Sequence, residues 1–452
     1  MAAAADRLGH RDGFFHPNLA VTFDDRGPGQ TNRFGVPQRG CTFCGQCDIG
    51  CNVGAKNTLD LNYLALAERA GATVGTRTEA LWVGVTGDGG YRVRLREHGR
   101  PGAGREGVER EVTARYVFIC AGAIGTTELL LRSRDQYGTL PGLSAALGTR
   151  YSGNGDFLSF GRNLDTDFAP AVGPTITTAL GETRAFGAHL DARRTAVLLA
   201  MGRDRAEGRI ELRGPKHRLR VVWDTTRNDP LYADEQALAG QVVRAFGGTP
   251  FATPMWRLFR QPVTVHNLGG VPMGDGPDTG AASPDGEVFG HPGLYVLDGA
   301  LLPGATGGNP SLTITAVAER CARSAVRRIT GDASWRAPEH AGATRGAVPE
   351  DAAVQSVRLI GPRRPVPPGV RFAEAMAGTV GLPAEAGPAT PARRYDATVP
   401  TGRVRVGVAD TLRMLSSVRA TGAPPGRSGA GTVLRFSAFF AGQVARAYLG
   451  RR

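Results

Sequence analysis

Residues 114–131 read Ala114-Arg-Tyr-Val-Phe-Ile-Cys-Ala-Gly-Ala-Ile-Gly-Thr-Thr-Glu-Leu-Leu-Leu131. Residues 116–120 form a continuous apolar run, the pattern of a strand buried on both faces of a parallel sheet. The glycines at 122 and 125 interrupt it, and a helix is expected over residues 126–134. The same order recurs downstream. Gly293-Leu-Tyr-Val-Leu-Asp298 predicts a second buried strand, Gly307-Gly-Asn-Pro310 a turn, and the following residues a long helix reaching about Thr330. Two strand–turn–helix units of this kind point to an α/β fold with a parallel sheet.

Between the units the pattern changes. Arg209-Ile-Glu-Leu-Arg213 and Leu219-Arg-Val-Val-Trp223 flank Gly214-Pro-Lys-His217 as two strands, and residues 230–246 are amphipathic, so an antiparallel α+β region is expected. Upstream, residues 1–40 read as irregular chain. Asn57 or Thr58 is expected to cap a helix running to Arg69, with strand character from Thr73, over residues 91–95 and from Val108. The resulting division is an irregular lead-in with a Cys-rich segment (1–56), a first part of one domain (57–149), an inserted antiparallel part (150–264), a return to the first domain (265–331) and an accessory segment, partly disordered, at 332–452.

With 452 residues, 41% apolar and 21% charged, 64 Gly and 30 Pro, the chain is neither fibrous nor wholly disordered. The net charge of +13 is carried almost entirely by Arg, since Lys occurs only at Lys56 and Lys216. The basic residues are scattered and form no stripe interleaved with aromatics, so no nucleic-acid partner is expected. No run approaches the roughly 18 apolar residues of a membrane span, and residues 1–6 lack the pattern of a signal peptide. A cytoplasmic location is expected.

Four of the six cysteines lie in Cys41-Thr-Phe-Cys-Gly-Gln-Cys-Asp-Ile-Gly-Cys51. Cys41, Cys44, Cys47 and Cys51 have the spacing that wraps an iron–sulfur cluster in ferredoxins, but no Pro follows the last and no second run exists. A structural or zinc-binding thiol cluster is preferred over an electron-transfer cluster. Gly102-Ala-Gly-Arg-Glu-Gly107 matches a dinucleotide fingerprint in spacing alone. A charged alternating strand precedes it and no helix follows, so it reads as a hairpin loop.

Taken together, residues 114–131, Val265-His-Asn-Leu-Gly-Gly270 and residues 293–320 resemble the glucose-methanol-choline family of flavin oxidoreductases, most closely its cholesterol-oxidase-like branch. The resemblance runs from about Gly35 to Arg328. It implies a partial Rossmann-like FAD-binding domain with an inserted substrate domain, and an FAD-dependent oxidase or dehydrogenase acting on the CH–OH group of a sterol-like or other bulky apolar alcohol. The electron acceptor would be oxygen or another molecule. His266 and Asn309 match the family's catalytic pair, His266 as base and Asn309 as the group that orients the substrate oxygen. Neutral imidazole titrates near neutrality and suits the first role, and an uncharged carboxamide suits the second. The resemblance also implies cofactor contacts at Ala80, Gly122, Asp298, Gly299, Asn309 and Pro310. Asn309 is further expected at the N-cap of the last helix, with Pro310 in its first turn and Gly331 closing it.

Two features of the family are missing. No strand and Gly-x-Gly-x-x-Gly turn precede the Cys segment, and the stretch between residues 177 and 198 is short. Glu182 and Asp191 are its only acidic residues, and neither sits in a matching motif. The expectation is therefore either an enzyme whose FAD-binding half is a separate N-terminal chain, or a non-catalytic remnant or partner-binding subunit. An electron-transfer role for the Cys segment is a third reading.

Overall fold

The computed structural model describes residues 2–14, 19–23, 29–42, 51, 53–99, 107–165, 194–253, 256–257 and 260–337. The chain opens with a short helix, α1 (Ala2–Arg7), where the sequence pattern predicts irregular chain. Four consecutive alanines lose no side-chain entropy in a helix. Ala4 is buried against Leu164, Ala196, Val243 and Phe246, a site supplied by distant sequence. Helix α2 (Tyr63–Arg69) also starts later than expected. Residues Leu59–Leu61 form a 3-10 turn, and Asn62, rather than Asn57 or Thr58, accepts the Tyr63 N–H at 2.7 Å.

Strands β1 (Thr78–Val85), β2 (Tyr91–Glu97) and β3 (Val108–Ala114) make an antiparallel sheet in that order. The first begins at Thr78, not Thr73. Glu97 pairs with Val108, so the glycine-rich stretch between them joins antiparallel neighbours, as a hairpin connection does. Residues 100–106 themselves lie outside the described residues. Arg94 and Arg96 reach across to Glu109 at 3.0 and 2.6 Å.

Next come β4 (Val117–Ile119) and α3 (Gly122–Leu131), then β5 (Phe157–Arg162), β6 (Ala196–Ala200), the hairpin β7 (Arg209–Arg213) and β8 (Arg218–Val222), α4 (Asp229–Ala245) and β9 (Thr249–Ala252). The described chain closes with β10 (Leu294–Val296) and α5 (Ser311–Thr330), which Gly331 ends at a φ of 71°. A mixed α/β architecture results. β4 and β10 are parallel neighbours, with Phe118 opposite Tyr295, whereas β5 lies antiparallel between β6 and β9 with α4 packed on it.

Two expectations around β4 change. Only one side of the strand is sealed: Ile119 is buried, while Phe118 stacks on Tyr295 at 5.1 Å and stays 43% exposed. Alternate side chains of a strand face opposite ways, so an apolar run does not by itself say that both faces are covered. Helix α3 starts at Gly122, earlier than residue 126, because its first turn is capped from across the fold. The Gly122 N–H donates to Asp298 Oδ2 at 2.9 Å, and Gly122 takes a φ of 77°, which glycine adopts without strain. The helix ends in a single π-helical turn, Arg132–Gln136. The main core joins Val83, Ile119, Leu130, Leu294, Val296, Leu301 and Cys321. Phe157, Tyr232 and Trp256 form a separate aromatic cluster.

Candidate active site

The His-Asn-Leu-Gly-Gly segment is held between two others. Leu268 and Ser152 exchange backbone hydrogen bonds at 3.0 Å, the Gly269 N–H donates to Gly299 O, and Gly270 N–H to Thr149 O. Both glycines have positive φ. A Cβ on Gly269 would come within 2.0 Å of Arg150 O, and one on Gly270 within 2.1 Å of Thr127 Oγ1. Any side chain there would force the segments apart. The motif is thus a junction of three backbones, and it brings His266, two residues before Leu268, level with the loop that follows Ser152.

That loop, residues 152–156, serves both members of the expected pair. Asn154, fully buried, donates from Nδ2 to Gly308 O at 2.8 Å, and its Oδ1 accepts from Thr306 N at 2.8 Å. It thereby fastens the turn that presents Asn309. Asp156, 0% exposed, places both carboxylate oxygens 3.0 Å from His266 Nδ1. Its Oδ2 also accepts the Val265 N–H at 2.9 Å. Asn309 Nδ2 stands 3.5 Å from His266 Nε2, at the outer edge of hydrogen bonding. The N-cap of α5 is Pro310, which is buried, and not Asn309 as expected; Asn309 stands one residue further out, where its Oδ1 accepts from Ser311 N at 3.0 Å.

Chemically, this is a half-buried imidazole anchored on one nitrogen, with the other beside a carboxamide. Two atoms 3.5 Å apart can each lie about 2.8 Å from one shared oxygen, so a hydroxyl can meet both.

Gly122, Asp298 and Gly299 come together where β10 ends and α3 begins. The Asp298 carboxylate accepts from Gly122 N, from the Thr126 hydroxyl and, at 2.8 Å, from Ala300 N. Burial raises its pKa, and the hydrogen bonds from Thr126, Ala300 and Gly122 oppose that rise. With both oxygens engaged, it ties the end of β10 to the start of α3. Around Gly122 and Gly308 the space is open among the described residues, none of which beyond the chain neighbours comes within 4 Å of an added Cβ, and residues 120–122 are exposed. The starts of α3 and α5 therefore leave room for a group to lie against backbone. Ala80 is exposed on β1 beside a register slip and belongs to the antiparallel sheet, not to this cluster.

Cys44 and Cys47 lie outside the described residues, as do Glu182 and Asp191, and no metal-binding group of three occurs among the described residues. Burial raises the Cys51 pKa, but backbone N–H groups of residues 53–56 outweigh it and hold the thiol below its usual value. The Ala55 N–H points at its sulfur at 3.3 Å. Sequence reasoning missed Asn154 and Asp156. Their signal is Gly153-Asn-Gly-Asp156, where Asn154 and Gly155 have φ of 57° and 61°.

The N- and C-terminal models of the GMC oxidoreductase family match residues 32–135 and 204–318. The matches include Gly122, His266, Asp298 and Asn309, while residues 152–156 lie between them. A cholesterol oxidase of Acinetobacter baumannii is 31% identical over 344 residues, 63% of this chain and 61% of that one. A cholesterol oxidase of Mycobacterium tuberculosis is 31% identical over 385 residues, 70% and 66% of the two. A long-chain-alcohol oxidase of Arabidopsis thaliana is 25% identical over 340 residues, 61% of this chain and 45% of its own length. The chain thus spans between 45% and 66% of the lengths of these relatives. The two family models in the expected order, together with this similarity along most of the chain, place the protein in the GMC oxidoreductase family, whose members bind FAD.

Proposed function

We propose that the protein is an FAD-dependent alcohol oxidase or dehydrogenase, that His266 and Asn309 are its catalytic pair, and that the substrate is a sterol-like or other bulky apolar alcohol. The observation that carries this reading is the convergence of Asp156, His266 and Asn309 at one junction of the fold. When bound, FAD supplies the acceptor for the hydride leaving the carbinol carbon. His266 Nε2 receives the hydroxyl proton, and Asn309 Nδ2 donates to the same oxygen and fixes its direction. Gly122, Gly299, Asn309 and Pro310 would lie along the cofactor, Asp298 would hold the two turns in place, and Ala80 would meet its far end. Residues 57–149 and 265–331 would form the cofactor-binding part, and 150–264 the substrate part.

The similarity to cholesterol oxidases favours an apolar alcohol, and Val265, next to His266, offers an apolar side chain 65% exposed. Oxygen as the electron acceptor rests on the oxidase relatives alone. The full chain is to be prepared with FAD and mixed anaerobically with a 3-hydroxysterol and with a long-chain primary alcohol, following loss of flavin absorbance. Bleaching is expected, with the reduced protein then exposed to oxygen to test reoxidation. In His266→Gln, flavin binding should persist while reduction slows at least about 100-fold. Bound flavin that no alcohol reduces, or a variant as fast as the parent, would remove the reading.

A further inference from the structure

The reaction proposed above needs one imidazole nitrogen of His266 free of its proton, and a neutral ring offers either nitrogen. We propose that Asp156 decides which. Its carboxylate keeps the proton on Nδ1, leaves the Nε2 lone pair facing Asn309, and so acts as a positioning residue for the base. The proposal rests on the reading of His266 as that base.

Three features of the geometry support it. Asp156 is 0% exposed, and both its oxygens lie 3.0 Å from Nδ1, so no solvent competes for that contact. An ionised carboxylate only accepts hydrogen bonds, and the proton must therefore sit on Nδ1. The carboxylate is itself fixed, because Oδ2 accepts the Val265 N–H at 2.9 Å and lies 3.2 Å from the Thr264 hydroxyl. Asp204, the other buried carboxylate of this loop cluster, is turned away. It accepts from Gly153 N and Gly155 N at 3.0 and 3.1 Å, and from Ala206 N at 2.9 Å.

Asp156→Asn tests this with little change of shape. The amide oxygen belongs where Val265 N–H needs an acceptor, which leaves the NH2 group toward Nδ1. That arrangement favours a proton on Nε2, the wrong nitrogen. The readout is the nitrogen-15 spectrum of histidine-labelled full-length protein, the His266 signals being those lost in His266→Gln. In the parent protein with the ring neutral, Nδ1 should be protonated and Nε2 bare, and in Asp156→Asn the order should reverse. With FAD bound, the variant should reduce flavin about 100- to 10,000-fold more slowly at a flavin affinity within a few-fold of the parent. A proton on Nε2 in the parent overturns the proposal even if the variant does not fold. A variant that keeps the parent's tautomer and rate also overturns it. If the tautomer reverses but neither protein oxidises any alcohol, the Asp156 assignment stands and the proposed function fails.

Discussion

At the scale of single residues, the site depends on where a side chain is forbidden. Gly155 has a φ of 61°, and a Cβ there would approach Gly202 C to 2.6 Å and Gly202 N to 2.8 Å. The obstacle is backbone, which cannot swing aside as a flexible side chain does. Gly155→Ala should therefore destabilise the protein by about 2 to 4 kcal/mol, combining left-handed strain with a clash. It should also displace Asp156, the next residue. Denaturant titration gives the stability change, and the His266 nitrogen-15 signals report the displacement. A variant as stable as the parent would show that the two loops part easily. Asn154 offers a milder test. Asn154→Ala removes the bonds to Thr306 and Gly308 and leaves the part-buried Thr306 N–H without its acceptor, while Gly308 O keeps the Thr306 hydroxyl. A loss of about 1 to 3 kcal/mol is expected, together with slower flavin reduction at unchanged flavin affinity, since the turn bearing Asn309 is no longer fastened.

At the scale of an element, α4 carries an unusual group. Glu235 is buried, and neither carboxylate oxygen has a hydrogen-bond partner among the described residues. Burial first, then the charges of Asp156, Asp204 and Asp234, push its pKa up to about 8. The unfolded chain releases this proton near a pKa of about 4.3. Between these values the native state holds a proton that the unfolded state has lost, so stability falls as pH rises through that window and levels off above it. Glu235→Gln keeps the shape of the protonated acid. The variant should match the parent near pH 4 to 5 and exceed it by on the order of 3 kcal/mol at pH 9, as read from melting temperatures across the range. A gain independent of pH would mean that Glu235 stays ionised. Helix α4 itself was legible in the sequence to within a residue at each end, because Pro230 suits a first turn and the apolar period persists through Val243. Helix α3 was not, since Asp298 caps it from β10.

For the whole molecule, Asp298 is the group that joins distant parts. It stands between the end of β10 and the start of α3, and loses three donors' partner at once if removed. Asp298→Ala should cost about 2 to 4 kcal/mol and weaken flavin binding, measured by denaturant titration and flavin fluorescence.

The two strand–turn–helix units, the β7–β8 hairpin with α4, and the candidacy of His266 and Asn309 were all legible before folding, because apolar period, turn residues and short motifs are local properties of the chain. Tertiary structure alone decided that residues 152–156 hold both His266 and Asn309, that Asp298 starts α3, and that one face of β4 stays open around Phe118. Each of these depends on which backbone donor, acceptor or apolar surface comes to lie opposite another from far along the chain. Hydrogen-bond satisfaction and burial are settled by that juxtaposition, and no local pattern encodes it.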